Sequence, residues 1–364
     1  MSEVLSRRAL NRATLARQYL LARATTTPLA AIEHLVGMQA QVPHNPYTAL
    51  WSRLQDFRPE SVSELLERRE VVRVGVMRGT IHLVTADDCL LLRPLMQPVF
   101  EAQLRRHRDH APALRGVDLE PVIALARTVL EERPRTGTEL RAIFAERFPE
   151  LDPAALAHAC QTRLAFVQVP PRGLWGRSAQ PTSTTAESWL GKPFPAAPSL
   201  DEVMLRYFGA FGPASVADAT TWCRLTGLRE VVERLRPRLV IFRDERGREL
   251  FDLPDAPRPD PATPIPVRFL PEYDNLLLSH DDRSRFTHNT DSSRLAEGWT
   301  IGWGAVLHDG VVRGRWRLEG EGLVVNHVDG LSKKALAAIA AEGRRLARFL
   351  EAPAADVRVI ALRR

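Results

Sequence analysis

Cysteine, lysine and long apolar runs are what this 364-residue sequence has least of. The three cysteines, Cys89, Cys160 and Cys223, lie far apart. No two have the spacing of a disulfide framework or a zinc site, which leaves three buried thiols in a reducing compartment as the reading. Lysine occurs only at Lys192, Lys333 and Lys334, so nearly all of the 50 basic residues are arginine. No stretch of about 18 uncharged apolar residues is present, which argues against a membrane-spanning helix. Met1 to Leu10 already contain Glu3, Arg7 and Arg8, so a secretory leader is not expected and the cytoplasm is the expected location. The P-loop, the zincin helix motif, the serine-esterase elbow and the dinucleotide fingerprint are all missing. Clustered carboxylates that would mark a metal-dependent nuclease are missing as well. Neither a metal site nor a cofactor is expected.

What is present is a basic chain, with net charge +6 and a pI near 9.7. Arginine is the better fork for phosphates and the more weakly hydrated cation, which raises nucleic acid as a partner without naming it. Hydrophobic content of 45% and charged content of 26% are ordinary for a globular protein, and the length suggests two to four structural units.

One layout recurs three times: short helices followed by a β-hairpin, the arrangement of a winged helix. Ser6 caps a first helix expected to run to Arg23, with Leu10, Ala13, Thr14, Leu20 and Leu21 as its apolar stripe. Arg17 falls inside that stripe and needs an internal acceptor or must snorkel outward. Thr27-Pro28 starts a helix that ends near Gly37. Strands at 71–77 and 80–85 flank Arg78-Gly79, and one long helix is expected from Asp87 to His107. Thr136 to Glu139 and Ser199 to Glu202 have capping-box spacing in the second and third units. Strands at 166–169 and 174–177 flank the Pro170–Gly173 turn, and strands at 239–243 and 249–253 make a third hairpin. Six prolines between Pro254 and Pro266 read as a linker. Beyond it come strands at 267–270, 276–279, 300–307, 311–318 and 322–327, a helix from Ser332 to Leu350, and a last strand near 357–361. The expected fold is α+β: three tandem winged-helix units (1–115, 116–197, 198–254), a linker (255–266) and a C-terminal β-barrel-like domain (267–364).

Gly37-Met-Gln-Ala-Gln-Val-Pro43 sits where a helix must stop. In an extended stretch, Gln39 and Gln41 direct both amides to one side. Two converging amides can hold and aim one water, since each offers an acceptor and an NH2 donor. The alternative is two glutamines satisfying loop backbone groups. Asn45 either helps hold this segment or caps the following helix; His82 either lines the same pocket or is structural. Arg78, Arg172 and Arg177 on the hairpins, and Arg283, Arg285 and His288 between C-terminal strands, are candidate DNA contacts, with solvated arginine as the plain alternative. The tryptophans read as packing residues.

Several of these segments resemble the AlkZ-type, YcaQ-like family of winged-helix DNA glycosylases. The resemblance rests on Leu5 to Arg23, Gly37 to Gln41, Met77 to Val84, Leu164 to Ser178 and Leu270-Pro-Glu-Tyr-Asp-Asn-Leu-Leu-Leu278, in the family's order along nearly the whole chain. It implies three winged-helix motifs and a barrel-like C-terminal domain. The family's Gln-apolar-Gln catalytic motif is matched by Gln39-Ala40-Gln41. The implied activity is hydrolysis of the N-glycosidic bond of N7-alkylated purines, including interstrand crosslinks, in repair or in self-resistance to a genotoxic natural product. The implied partner is double-stranded DNA carrying such lesions, bound by a monomer. No lysine lies near the glutamines, so a Schiff-base lyase step is not expected. The other reading is a winged-helix regulator without chemistry. Three unlike units in one chain suit a two-fold regulator poorly.

Overall fold

The computed structural model describes residues 3–287, 302–320, 322–352 and 357–362. Helices start where the sequence offers a capping oxygen. After the short strand β1 (Val4–Leu5), Ser6 Oγ accepts from the Ala9 N–H and starts α1 (Arg7–Arg17). This helix stops six residues before the expected Arg23, where Tyr19 takes a left-handed φ of 56°. Thr27 caps α2 (Pro28–His34), and β2 (Met38–Gln39), α3 (Asn45–Arg53), α4 (Pro59–Glu67), β3 (Val71–Gly75) and β4 (Ile81–Thr85) follow. The single long helix expected next is two, α5 (Ala86–Leu95) and α6 (Gln97–Arg106), broken at Met96 between Pro94 and Pro98.

The chain continues through α7 (His110–Ala113), α8 (Glu120–Glu132), β5 (Arg135–Thr136), α9 (Gly137–Arg147) and α10 (Pro153–Arg163). Thr136 and Glu139 form the reciprocal capping box at α9. Strand β6 (Phe166–Gln168) pairs with β7 (Thr182–Thr185), because 174–177 forms turns in place of the expected strand. Next come α11 (Ala186–Leu190), α12 (Leu200–Phe211), α13 (Val216–Cys223), α14 (Leu228–Leu235) and the hairpin β8 (Val240–Asp244) and β9 (Glu249–Asp252). At α12 only the Ser199 half of the expected capping box forms; the reciprocal box is at α13, between Ser215 and Asp218. After β10 (Arg268–Leu270), the expected strand at 276–279 is instead a one-turn helix, α15 (Asn275–Leu278). Asp274 Oδ1 accepts from the Leu276 N–H there and starts a turn. The chain ends with β11 (Gly304–His308), β12 (Val311–Glu319), β13 (Gly322–His327), the helix Lys333–Phe349 and β14 (Val357–Ala361).

Three sheets organise these elements. Strands from the first two hairpins merge into one six-stranded sheet, β2-β4-β3-β6-β7-β5, through the antiparallel β3–β6 pairing. Strand β1 runs parallel to β8 beside β9. The C-terminal sheet has the order β10-β11-β12-β13-β14. Among the described residues β10 and β14 do not pair, so this sheet is open where a barrel-like closure was expected. The helix Lys333–Phe349 crosses over to place β14 parallel to β13. It covers one sheet face, packing Ile339, Leu346 and Ala347 on Phe269, Val306, Leu323 and Val325. The expected α+β class holds.

Buried ion pairs tie the chain's beginning to its later segments. Arg17 finds the internal acceptor its position demands: both oxygens of Asp252, at 2.5 and 2.8 Å, and the Phe208 carbonyl. Arg53 forks onto Asp274 at 2.7 and 2.8 Å, with both side chains 1% exposed. Arg12 reaches Asp309 in the Asp309-Gly310 turn.

Candidate active site

The glutamine segment is placed by a turn that demands glycine. Gly37 has φ +86°, and a Cβ there would lie 2.6 Å from Val84 Cγ1. The chain leaves this turn as β2, antiparallel to β4, with Met38 opposite Leu83 and Gln39 opposite His82. The pleat then sorts the side chains. Met38 and Ala40 enter the core around Leu50 and Leu83, while Gln39 and Gln41 take the opposite face with His82. Gln39 is 8% exposed and Gln41 is exposed.

Both amides are held by donor-only groups, which fixes which end faces inward. Gln39 Oε1 accepts from Arg78 Nη2 at 2.6 Å. Gln41 Oε1 accepts from the Ile81 N–H at 3.2 Å, while the Ala40 N–H donates to the Ile81 carbonyl at 2.8 Å. Each amide NH2 therefore points away from its anchor, and each oxygen keeps one lone pair. The structural alternative and the water-holding reading are thus compatible: the oxygens serve local donors, and the NH2 groups are left over.

Arg78 sits in a one-turn 3₁₀ segment at Met77–Gly79 with a left-handed φ of 58°, which turns its side chain back over the sheet. Its guanidinium also donates to the Trp222 carbonyl at 2.8 Å and lies 3.2 Å from His82 Nε2. His82 Nδ1 is 2.9 Å from the Thr80 carbonyl, an acceptor only, so Nδ1 carries the proton and Nε2 receives from Arg78. Burial, and then the Arg78 charge, push the His82 imidazole down to about 3, so it is neutral at working pH. Burial, followed by Arg224, lowers Arg78 to about 10, still cationic at neutral pH.

A match to the DNA glycosylase AlkZ-like family model spans residues 32–349, which include the glutamine segment and the strands that hold it. The chain belongs to the AlkZ-like DNA glycosylase family. The Streptomyces sahachiroi DNA glycosylase AlkZ has a similar solved fold, with a TM-score of 0.80 at 21% sequence identity, over 98% of this chain and 100% of that one. No curated protein sequence matches the chain.

Membership of the AlkZ-like family makes DNA the substrate, and the remaining expected residues separate against it. Arg285 is 3% exposed, and its guanidinium bonds Thr14 Oγ1 and the Pro213 carbonyl close to Asp218. It is a buried arginine whose bonds lie within the fold, where the sequence suggested a solvated DNA contact. Arg78 is half-buried, its guanidinium held on Gln39, His82 and the Trp222 carbonyl. Arg172 is half-buried and donates to the Ala179 carbonyl, whereas Arg177 is exposed. Arg283 lies on the one-turn 3₁₀ segment Arg283–Arg285, and its charge is felt at Arg78. His288 lies outside the described residues. Asn45 is the first residue of α3 and makes no cap; its Nδ2 donates to the Glu272 carbonyl at 2.8 Å.

That last bond belongs to a support of the glutamine segment to which the residue patterns gave no role. Asn275 Oδ1 accepts from the Gln39 N–H at 3.3 Å, and Asn275 Nδ2 donates to the Gly37 carbonyl at 2.8 Å. Asp274, next door, is locked on Arg53. The Pro271–Asn275 segment therefore cradles the backbone of the glutamine segment and Asn45 from 227 to 236 residues away in sequence. The polar run Pro-Glu-Tyr-Asp-Asn inside an apolar stretch is the sequence signal that could have found it.

Proposed function

We propose that this family member hydrolyses the N-glycosidic bond of N7-alkylated purines, bulky or crosslinking adducts included, as a monofunctional glycosylase acting in DNA repair or self-resistance. DNA is proposed to lie across winged-helix units, with the exposed Arg177 among the phosphate contacts and the protein acting as a monomer. The observation that carries this reading is the Gln39–Gln41 pair, held by donor-only anchors and without a carboxylate among its bonded neighbours.

An N7-alkylpurine is already cationic, so it departs without prior protonation. The C1′–N9 bond breaks with its electron pair going to the purine, whose positive charge is cancelled. A water oxygen then bonds to C1′, and its proton passes to solvent. A water beside the two amides accepts from an NH2, donates to an oxygen's remaining lone pair and keeps a second lone pair for C1′. Positioning of this kind lowers the barrier without a general base. Neither the amides nor the neutral His82 titrates between pH 5 and 8, so the single-turnover rate is expected to be flat there.

The test is release of N7-methylguanine from duplex DNA by the wild type, Gln39→Ala and Gln41→Ala. Each variant is expected to lose roughly 10²-fold in single-turnover rate while keeping its DNA affinity. Failure of the wild type to make abasic product from any alkylated substrate would leave the regulator reading in place.

A further inference from the structure

We infer that Arg78 is a positioning residue that sets the orientation of the Gln39 amide and thereby aims the attacking water, a role that rests on the proposed function of the glutamine pair.

The geometry leaves little freedom. Arg78 Nη2 carries two hydrogens and meets two acceptors, Gln39 Oε1 at 2.6 Å and His82 Nε2 at 3.2 Å. Nη1 is fixed on the Trp222 carbonyl at the end of α13, so the guanidinium plane is anchored at both ends. His82 is an acceptor at Nε2 because its proton sits on Nδ1, which donates to the Thr80 carbonyl. The backbone is fixed as well: Gln103 Nε2 donates to the Arg78 carbonyl at 2.9 Å and packs against Gly79, where a Cβ would meet Gln103 Oε1 at 2.1 Å. A carboxamide rotates about a soft terminal torsion and can present either end. A guanidinium, which only donates, removes that choice and leaves the Gln39 NH2 facing the open side. No carboxylate is among the bonded partners of Arg78. The guanidinium is therefore bound entirely to neutral groups, an arrangement suited to orienting an amide and not to bracing the fold.

A phosphate-binding arginine and an amide-orienting arginine predict different kinetics. With N7-methylguanine duplex as substrate, Arg78→Met is expected to lower the single-turnover rate at saturating enzyme ~10²-fold while DNA Kd stays unchanged. In a Gln39→Ala background the same substitution should change the rate by less than about twofold, since the group it orients is gone. Arg78→Lys keeps the charge but not the planar fork, and should recover only part of the rate. It also serves for the cycle if the Met variant does not fold. A weakened Kd with a full rate at saturating enzyme would make Arg78 a phosphate ligand and overturn the inference, as would losses that multiply in the double variant. Gln39→Ala with wild-type rate would instead bring down the glutamine reading itself. Gln39→Ala inactive with Arg78→Met fully active would bring down this inference alone.

Discussion

Arg17 and Arg53, where α1 and α3 meet the later segments, each fork onto a buried carboxylate. Arg78, at the glutamine edge of the six-stranded sheet, faces an amide, a carbonyl and an imidazole. The first two brace the fold. Each is a charge that burial would make costly without its partner, so their value shows when one side is removed. Arg78 has no such partner to lose, and what it holds is the direction of a neutral dipole. The same residue type thus does two jobs, and the bonded acceptor tells them apart.

The largest effect that separates the two regions is on stability. Asp252→Asn leaves Arg17 buried without its carboxylate and takes one from Arg258, which also bonds Asp252. It should cost about 3–5 kcal/mol in chemical denaturation, with the glycosylase rate of the folded protein intact. Arg78→Met removes a charge and leaves only neutral acceptors, so about 1–3 kcal/mol is expected. Equal destabilisation by the two would erase the distinction.

Acid should act on the glutamine region next. His82 is held near 3 in the fold against 6.5 when free, so between those values the unfolded chain binds a proton that the folded chain does not. Stability should therefore fall as pH drops below 6.5, by about 3 kcal/mol from this group by pH 4.5. Burial pushes His280 in the same direction and adds to the loss. Melting wild type and His82→Gln side by side across this range measures the difference, which should be visible as a smaller acid slope in the variant. The smallest effect belongs to the α1 cap: Ser6→Ala should cost about 1 kcal/mol and leave the rate unchanged. A change in rate would mean that α1 reaches the site.

Local signals were the legible part of the fold. Ser6, Thr27, Thr136, Asp152 and Ser215 all cap helices where side-chain chemistry places them. The Asp309-Gly310 turn, with φ of 51° and 78°, joins β11 and β12 as its dipeptide suggests. Elements decided by distant partners were less legible. Nothing near Leu276 tells a strand from the turn that Asp274 starts. Nothing near Arg285 announces that Thr14 and Pro213 enclose it. The merging of β3 with β6 depends on a pairing across about 93 residues, and the C-terminal sheet on the return of β14 to β13 after a helical crossover; no periodicity records either. In the site, the Gln39-Ala-Gln41 spacing told which residues share a face. It did not tell that Arg78, expected at a phosphate, would be turned inward by a left-handed backbone.

The long reach of the α1 contacts also sets an order of events during synthesis. Arg12 and Arg17 emerge early, yet their carboxylates, Asp309 and Asp252, are made far later. At ribosomal speeds of roughly 5–20 residues per second, Asp309 follows Arg12 by about 15–60 s. Throughout that interval Arg12 lacks the carboxylate it bonds in the fold, although α12, β8 and β9, on which α1 packs, are made before it ends. Closure of this end of α1 therefore waits for the turn between β11 and β12.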